Sequence, residues 1–110
     1  MELAELENLN AEQVNFMLIL HSGNARSKIL QALREYREDR VEKADSLLLQ
    51  AEEDLKQAHG IHFKMVQKEA SGEKVDFALL LMHAEDHLMS TLTMKELVKE
   101  LIELFKKKSI

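Results

Sequence analysis

Proline is absent from all 110 residues and glycine occurs only three times, so little in the chain is built to interrupt a helix. Proline removes a backbone donor and clashes with the preceding turn, and an interior glycine costs about 1 kcal/mol relative to alanine. The residues that dominate instead, Leu, Glu, Lys, Ala and Met, are all good helix formers. With 45% hydrophobic residues there is material for one core. The length suits one domain over residues 1–110 and is short for two. The expected class is all-α.

Apolar spacing divides that helix into three. Asn10 with Gln13 reads as a capping box that opens the first, along which Val14, Met17, Leu18, His21, Ala25, Lys28, Ile29, Ala32, Leu33 and Tyr36 recur at helical intervals. Residues 1–9 read as a frayed or short helical extension. Gly23 interrupts the stripe, and close approach of another backbone ranks ahead of a kink as its reason. Glu35–Arg40 is dense in charge and reads as a solvated turn, with Asp39 and Glu42 as a second capping box. Val41, Ala44, Leu47, Leu48, Ala51, Leu55, Ala58, His62, Met65, Val66 and Ala70 mark a long second helix. Ser71-Gly72 ends it, since glycine takes the left-handed conformation at a helix C-terminus. Asp76 is the expected cap of a third helix running to about Lys107. Short connections make the three antiparallel, an up-down-up bundle.

The third helix carries more apolar surface than two neighbours can cover. One seam runs Leu80, Ala84, His87, Thr91, Met94, Val98, Leu101, Phe105, and a second, rotated, runs Leu79, Met82, Asp86, Met89, Thr93, Leu97, Leu104. Leu81, Leu88, Leu92 and Ile102 add a third set. A helix apolar over most of its circumference is buried on most sides. The residues alone therefore call for a homo-oligomer and leave its number of subunits open.

Several partners and chemistries are disfavoured. A formal charge of −5 with no evident basic stripe argues against nucleic acid or an anionic membrane; the Lys106–Lys108 run suits a helix C-terminus. The absence of cysteine removes disulfides, thiolate metal sites and cysteine nucleophiles. No signal peptide and no apolar run of membrane-spanning length is read, and a cytoplasmic location is expected.

The chemistry gathers in Leu79–Thr93. His83 and His87 are four residues apart on one helix face, with Asp86 rotated off that face and Glu85 pointing almost opposite His83. Partly buried polar histidines are one reading, although Asp86 in a stripe with Leu79, Met82 and Met89 would be costly if unpaired. Zinc is a second, since His-x-x-x-His is a common arrangement. The hydrolase pattern needs glutamate where Ala84 stands, however, and only His59 and His62 offer further ligands. The third is phosphoryl transfer through histidine: imidazole is a competent nucleophile and its N–P bond is labile enough to pass the group on. His83 would be the nucleophile and His87, one turn on, a donor to the phosphoryl group.

His83-Ala84-Glu85-Asp86-His87-Leu88-Met89 resembles the H-[AG]-Q-D-H-L-M signature of the enzyme IIA component of the lactose/cellobiose (chitobiose) phosphotransferase system. Gly23-Asn24-Ala25-Arg26-Ser27 is similar to the family's G-[ND]-A-R-S segment. Ala44-Asp45-Ser46-Leu47 with Ala58-His59, Lys68–Glu73 and Leu101–Leu104 match further segments in the right order, so the likeness covers nearly the whole chain. The resemblance implies a cytoplasmic homotrimer with the third helices as a parallel coiled coil. It implies that His83 accepts a phosphoryl group from the histidine phosphocarrier protein and passes it to a cysteine of the cognate IIB component during uptake of a β-glucoside or disaccharide. It implies that Asp86 meets its symmetry copies around a structural Mg2+. Glu85 stands where the family has glutamine, and is expected to face away or touch a neighbouring subunit. Arg26 is read as a helix-surface ion-pair residue, and His21 as a packing residue. The rival from another class is a non-catalytic, metal-stabilised helical oligomerisation module.

Overall fold

A computed structural model describes residues 10–110, so the reading of residues 1–9 lies outside the described residues. Three helices follow one another: α1 (Ala11–Arg37), α2 (Val41–Ala70) and α3 (Leu79–Lys107). The first opens as its sequence predicts. Asn10 accepts from the Gln13 amide at 2.8 Å, and the Gln13 side chain accepts from the Asn10 amide at 3.0 Å. Cross-helix pairs fix the directions. Lys28 meets Asp54 at 2.6 Å between α1 and α2, and Lys99 meets Glu52 at 3.1 Å between α2 and α3. Lys106 reaches Asp45 at 2.8 Å further down the same pair of helices. The result is the expected antiparallel bundle, in which α1 and α3 run the same way.

The core comes from a three–four spacing on each helix: Leu18, Ala25, Ile29 and Ala32 from α1; Ala44, Leu48, Ala51, Leu55, Ala58 and Ile61 from α2; Ala84, Leu88, Val98 and Ile102 from α3. Many of these are alanines, which let the helix axes approach closely. Ile61 belongs to this set and was missed by the stripe reading, whereas Val41, Val66 and Ala70 of that stripe are exposed. Asn15, Ser22 and Thr91 are also buried. Asn15 and Ser22 carry no apolar signal, so sequence periodicity passes over them, whereas Thr91 stands in the seam where the spacing put it.

Three local expectations are corrected. The Glu35–Arg40 segment is a solvated turn only in its second half: residues 37–40 are exposed around the turn, but α1 continues through Arg37 and Glu35 is buried. Its carboxylate accepts from Gln31 at 2.7 Å and from Arg40, with Lys43 nearby at 3.7 Å. The charges that look solvating form a knot that closes the α1–α2 hairpin. The second correction follows, because Arg40 rather than Asp39 is the residue at the α2 N-terminus and no side chain caps it. Asp39 instead takes the turn's left-handed position, φ 64°, a conformation Asp tolerates better than most residues. Third, α3 starts after Ala78, without a side-chain cap from Asp76. Gly72, at φ 93°, ends α2 as expected.

The Glu35 knot has a measurable consequence. The hydrogen bond from Arg40 holds the Glu35 carboxyl below its ordinary range. A depressed folded-state value means the unfolded chain takes up the proton first. The stability from this group is therefore fully present above the unfolded value of about 4.3 and is lost as pH falls through the folded one. Thermal melts between pH 7 and pH 3 are expected to show Glu35→Gln flattening the acid end of the stability profile; an unchanged slope would count against the knot.

Candidate functional site

His83 and His87 lie on successive turns of α3, as an i, i+4 pair must. Their ring centroids are 5.9 Å apart and the rings meet edge to face. The two environments differ. His83 is exposed, whereas His87 is half-buried against α1. Thr91 Oγ1, on a fully buried residue one turn further along, lies 3.5 Å from His87 Nδ1. On the other side of that ring, a Cβ added at Gly23 would lie 3.9 Å from His87 Nε2. That is ordinary van der Waals contact, so the close approach of a backbone expected at Gly23 is not found, and neither is a kink: α1 runs through Gly23 as one unbroken element.

Glu85 points away from His83, to α2. Its Oε2 is 2.6 Å from His62 Nε2, and both side chains are partly covered. Of the two readings offered for Glu85, facing away holds; its contact is with α2 of its own chain. His62 is an inter-helix residue, while His59 is exposed. The position at which the chain departs from the signature it resembles is thus turned from His83 and has its own partner. Glu85→Gln is expected to change phosphoryl incorporation by less than about threefold, because a carboxylate on the far side of the helix, held against His62, acts weakly on His83. A gain of tenfold or more in a labelled-phosphate assay would overturn that.

Asp86 is exposed on the outer side of α3. The residues around it on that side are large and apolar yet uncovered: Leu79 is 80% exposed, Leu97 60%, Met82 49% and Met89 43%. This is the second seam of the sequence reading, and it faces away from both other helices. Among the described residues, no three His, Asp or Glu side chains come together in one protomer to hold a metal ion. His83, His87, His59 and His62 therefore do not assemble the zinc site that their sequence spacing raised. Arg26 is exposed and makes no ion pair with a described residue, so its reading as an ion-pair residue gains no support.

His21 on α1 is the other histidine of interest. Its Nε2 is buried without a hydrogen-bond partner among the described residues. Burial pushes this ring below its ordinary value, with Asp54 pulling the other way. It behaves as a packing residue, as expected, held toward the neutral form. Among the described residues, no helix is long and apolar enough to cross a membrane.

Comparison with known proteins agrees with this geometry. The profile of the family described as "PTS system, Lactose/Cellobiose specific IIA subunit" matches residues 13–106. Over all 110 residues, and the whole of both chains, the sequence is 62% identical to the oligo-beta-mannoside-specific EIIA component of the phosphotransferase system of Bacillus subtilis (strain 168). The fold is similar to the crystal structure of the cellobiose-specific enzyme IIA from Bacillus anthracis, with TM-score 0.85 and 41% identity over 92% of this chain and 94% of that one. It is also similar to the IIA(Chitobiose) protein solved in complex with HPr from the Escherichia coli phosphotransferase system, with TM-score 0.79 and 33% identity over 93% and 99%. By sequence and by fold, the chain belongs to the lactose/cellobiose-specific IIA subunits, the sugar-specific phosphotransfer components of the phosphotransferase system.

Proposed function

We propose that His83 is the phosphorylated residue of this component, relaying a phosphoryl group from the histidine phosphocarrier protein to a cysteine of the cognate IIB component. The exposed His83 ring, edge-on to a second imidazole, carries the reading. In the first step the bond from phosphorus to the carrier's histidine nitrogen breaks as one to a ring nitrogen of His83 forms. In the second, that N–P bond breaks as phosphorus bonds to the thiolate sulfur of the IIB cysteine. Such transfer is mostly positioning and charge stabilisation. His87 suits the supporting role: it is half-buried one turn along α3 with Thr91 Oγ1 beside its Nδ1, where a ring N–H can face the incoming oxygens. Two protein partners must use the same nucleophile in turn, which requires an exposed ring and weak, fast docking rather than a deep pocket. The phosphocarrier role is supported by the likeness to a IIA protein solved with HPr. A β-linked di- or oligosaccharide as the transported sugar is supported by the oligo-beta-mannoside-specific relative.

The test is incubation with phosphoenolpyruvate, enzyme I and the phosphocarrier protein. Incorporation of an acid-labile, base-stable phosphate is expected. Its absence would favour the rival reading, a helical oligomerisation module without chemistry.

The same proposal covers assembly. Asp86 lies within the uncovered seam of Leu79, Met82, Met89, Leu97 and Leu104, toward its N-terminal end, and a homotrimer with the α3 helices parallel about an axis buries the seam. Three carboxylates then converge, and their repulsion is relieved by a hard cation with oxygen ligands. One carboxylate per chain fits Mg2+ held between copies, where the ion neutralises charge and takes no part in the transfer. Asp86→Asn is expected to alter assembly: metal dependence of the trimer disappears and, with the cation present, the trimer weakens about tenfold or more. Analytical ultracentrifugation with and without chelator reads this, and unchanged mass under both conditions would remove the metal from the account.

A further inference from the structure

The α2–α3 groove carries a feature that no single stretch of sequence displays. Midway along it lies a cavity of about 310 Å3, walled by Lys56 and His59 of α2 and by Lys95 and Lys99 of α3, over Leu55 and Leu92. About forty residues of chain separate the two basic pairs, so the sequence shows no basic stripe; the antiparallel return of α3 creates one. Glu52 is the only carboxylate in the lining. It is already engaged by Lys99 at 3.1 Å, a bond that holds the Lys99 ammonium above its ordinary range. Lys56 and Lys95 make no ion pair with a described residue, although Lys95 is half-buried. In a chain of formal charge −5, two ammonium groups from different helices thus share one concavity without a counter-charge.

We propose that this groove is a binding site for a small organic phosphomonoester, such as a sugar phosphate. A phosphate monoester carries about −1.5 to −2 charges at pH 7, which matches two free ammonium groups where a carboxylate would match one. The phosphate oxygens accept from Lys56 and Lys95, with a His59 ring N–H as a further donor. The volume greatly exceeds that of a bare phosphate, and Leu55 and Leu92 give a carbon body ground to lie on. Sugar phosphates are the class of compound that a sugar phosphotransferase system produces. The site lies about three turns along α3 from His83 and on another face. It does not depend on the relay.

The experiment is a nuclear magnetic resonance titration of the full, unphosphorylated chain at fixed ionic strength. Glucose 6-phosphate, inorganic phosphate and glucose are added in separate arms. Saturable shifts are expected from glucose 6-phosphate at residues 55–59 and 92–99, weaker binding from inorganic phosphate, and no response to glucose. Lys56→Gln combined with Lys95→Gln is expected to weaken glucose 6-phosphate binding about tenfold, the loss of two charge-assisted contacts in water, with circular dichroism and melting temperature unchanged. Lys56→Arg with Lys95→Arg is expected to retain binding. Non-saturating shifts, or the same affinity in the glutamine variant, would overturn the site. Equal affinity for inorganic phosphate would overturn the assignment of an organic ligand. Because the readout is binding to unmodified protein, its failure leaves the phosphorylation of His83 untouched, and the reverse also holds.

Discussion

Replacing His83 by alanine is expected to abolish phosphoryl incorporation, with a loss of at least about a thousandfold, because it removes the nucleophile to which the proposal assigns the covalent intermediate. His87→Ala is expected to lose less, about ten- to a hundredfold, the range for one supporting hydrogen-bond donor. The order of the two effects is the informative part. His83 is exposed, while His87 is half-buried with Thr91 Oγ1 beside its Nδ1. That arrangement makes one ring available to partners and fixes the other beside it. Mass spectrometry of protein phosphorylated through the phosphocarrier system, with circular dichroism to confirm folding, reads both variants. Full phosphate on His83→Ala would move the nucleophile elsewhere, and His87 would be the first place to look.

Leu88→Ala is expected to be the most damaging single truncation for stability. Leu88 is fully buried and follows His87 directly on α3. Removing a buried leucine leaves a cavity and costs about 2–5 kcal/mol. In a chain of this size that lowers the melting temperature by about 10–20 °C. Leu97→Ala supplies the control, since Leu97 is 60% exposed in the single chain. A truncation there costs an isolated bundle less than about 0.5 kcal/mol. If the outer seam is an interface, Leu97→Ala lowers the melting temperature substantially and makes it depend on protein concentration. The pair of variants thus separates the inner face of α3 from its outer one.

What the sequence conveys depends on the distance over which its signals act. Helix composition, the Asn10–Gln13 box and the Gly72 terminus are local, and each is found where the residues place it. The excess apolar surface of α3 is a property of one helix and reads correctly as an uncovered seam. The misread features are those whose meaning comes from a partner distant along the chain or hidden in polarity. Glu35 looks like surface charge until Arg40 and Lys43 close round it. Asp39 and Asp76 look like caps, but the turns they occupy send their side chains elsewhere. Asn15 and Ser22 are core residues without an apolar signature. At the site, periodicity puts His83 and His87 on one face, but the contact of Glu85 with His62 requires knowing that α2 returns alongside α3.

The uneven packing of the three helices has a consequence for how the molecule moves. Helix α1 packs more extensively on α2 and on α3 than those two pack on one another. Between α2 and α3 the described contacts include charged rungs at His62–Glu85, Glu52–Lys99 and Asp45–Lys106. Rungs of this kind fade as electrolyte is added, whereas apolar packing against α1 does not. Concentrated salt should therefore loosen the α2–α3 groove while each of the two helices stays seated on α1. Amide exchange would then quicken first along the two facing edges of the groove and last around the fully buried Leu88.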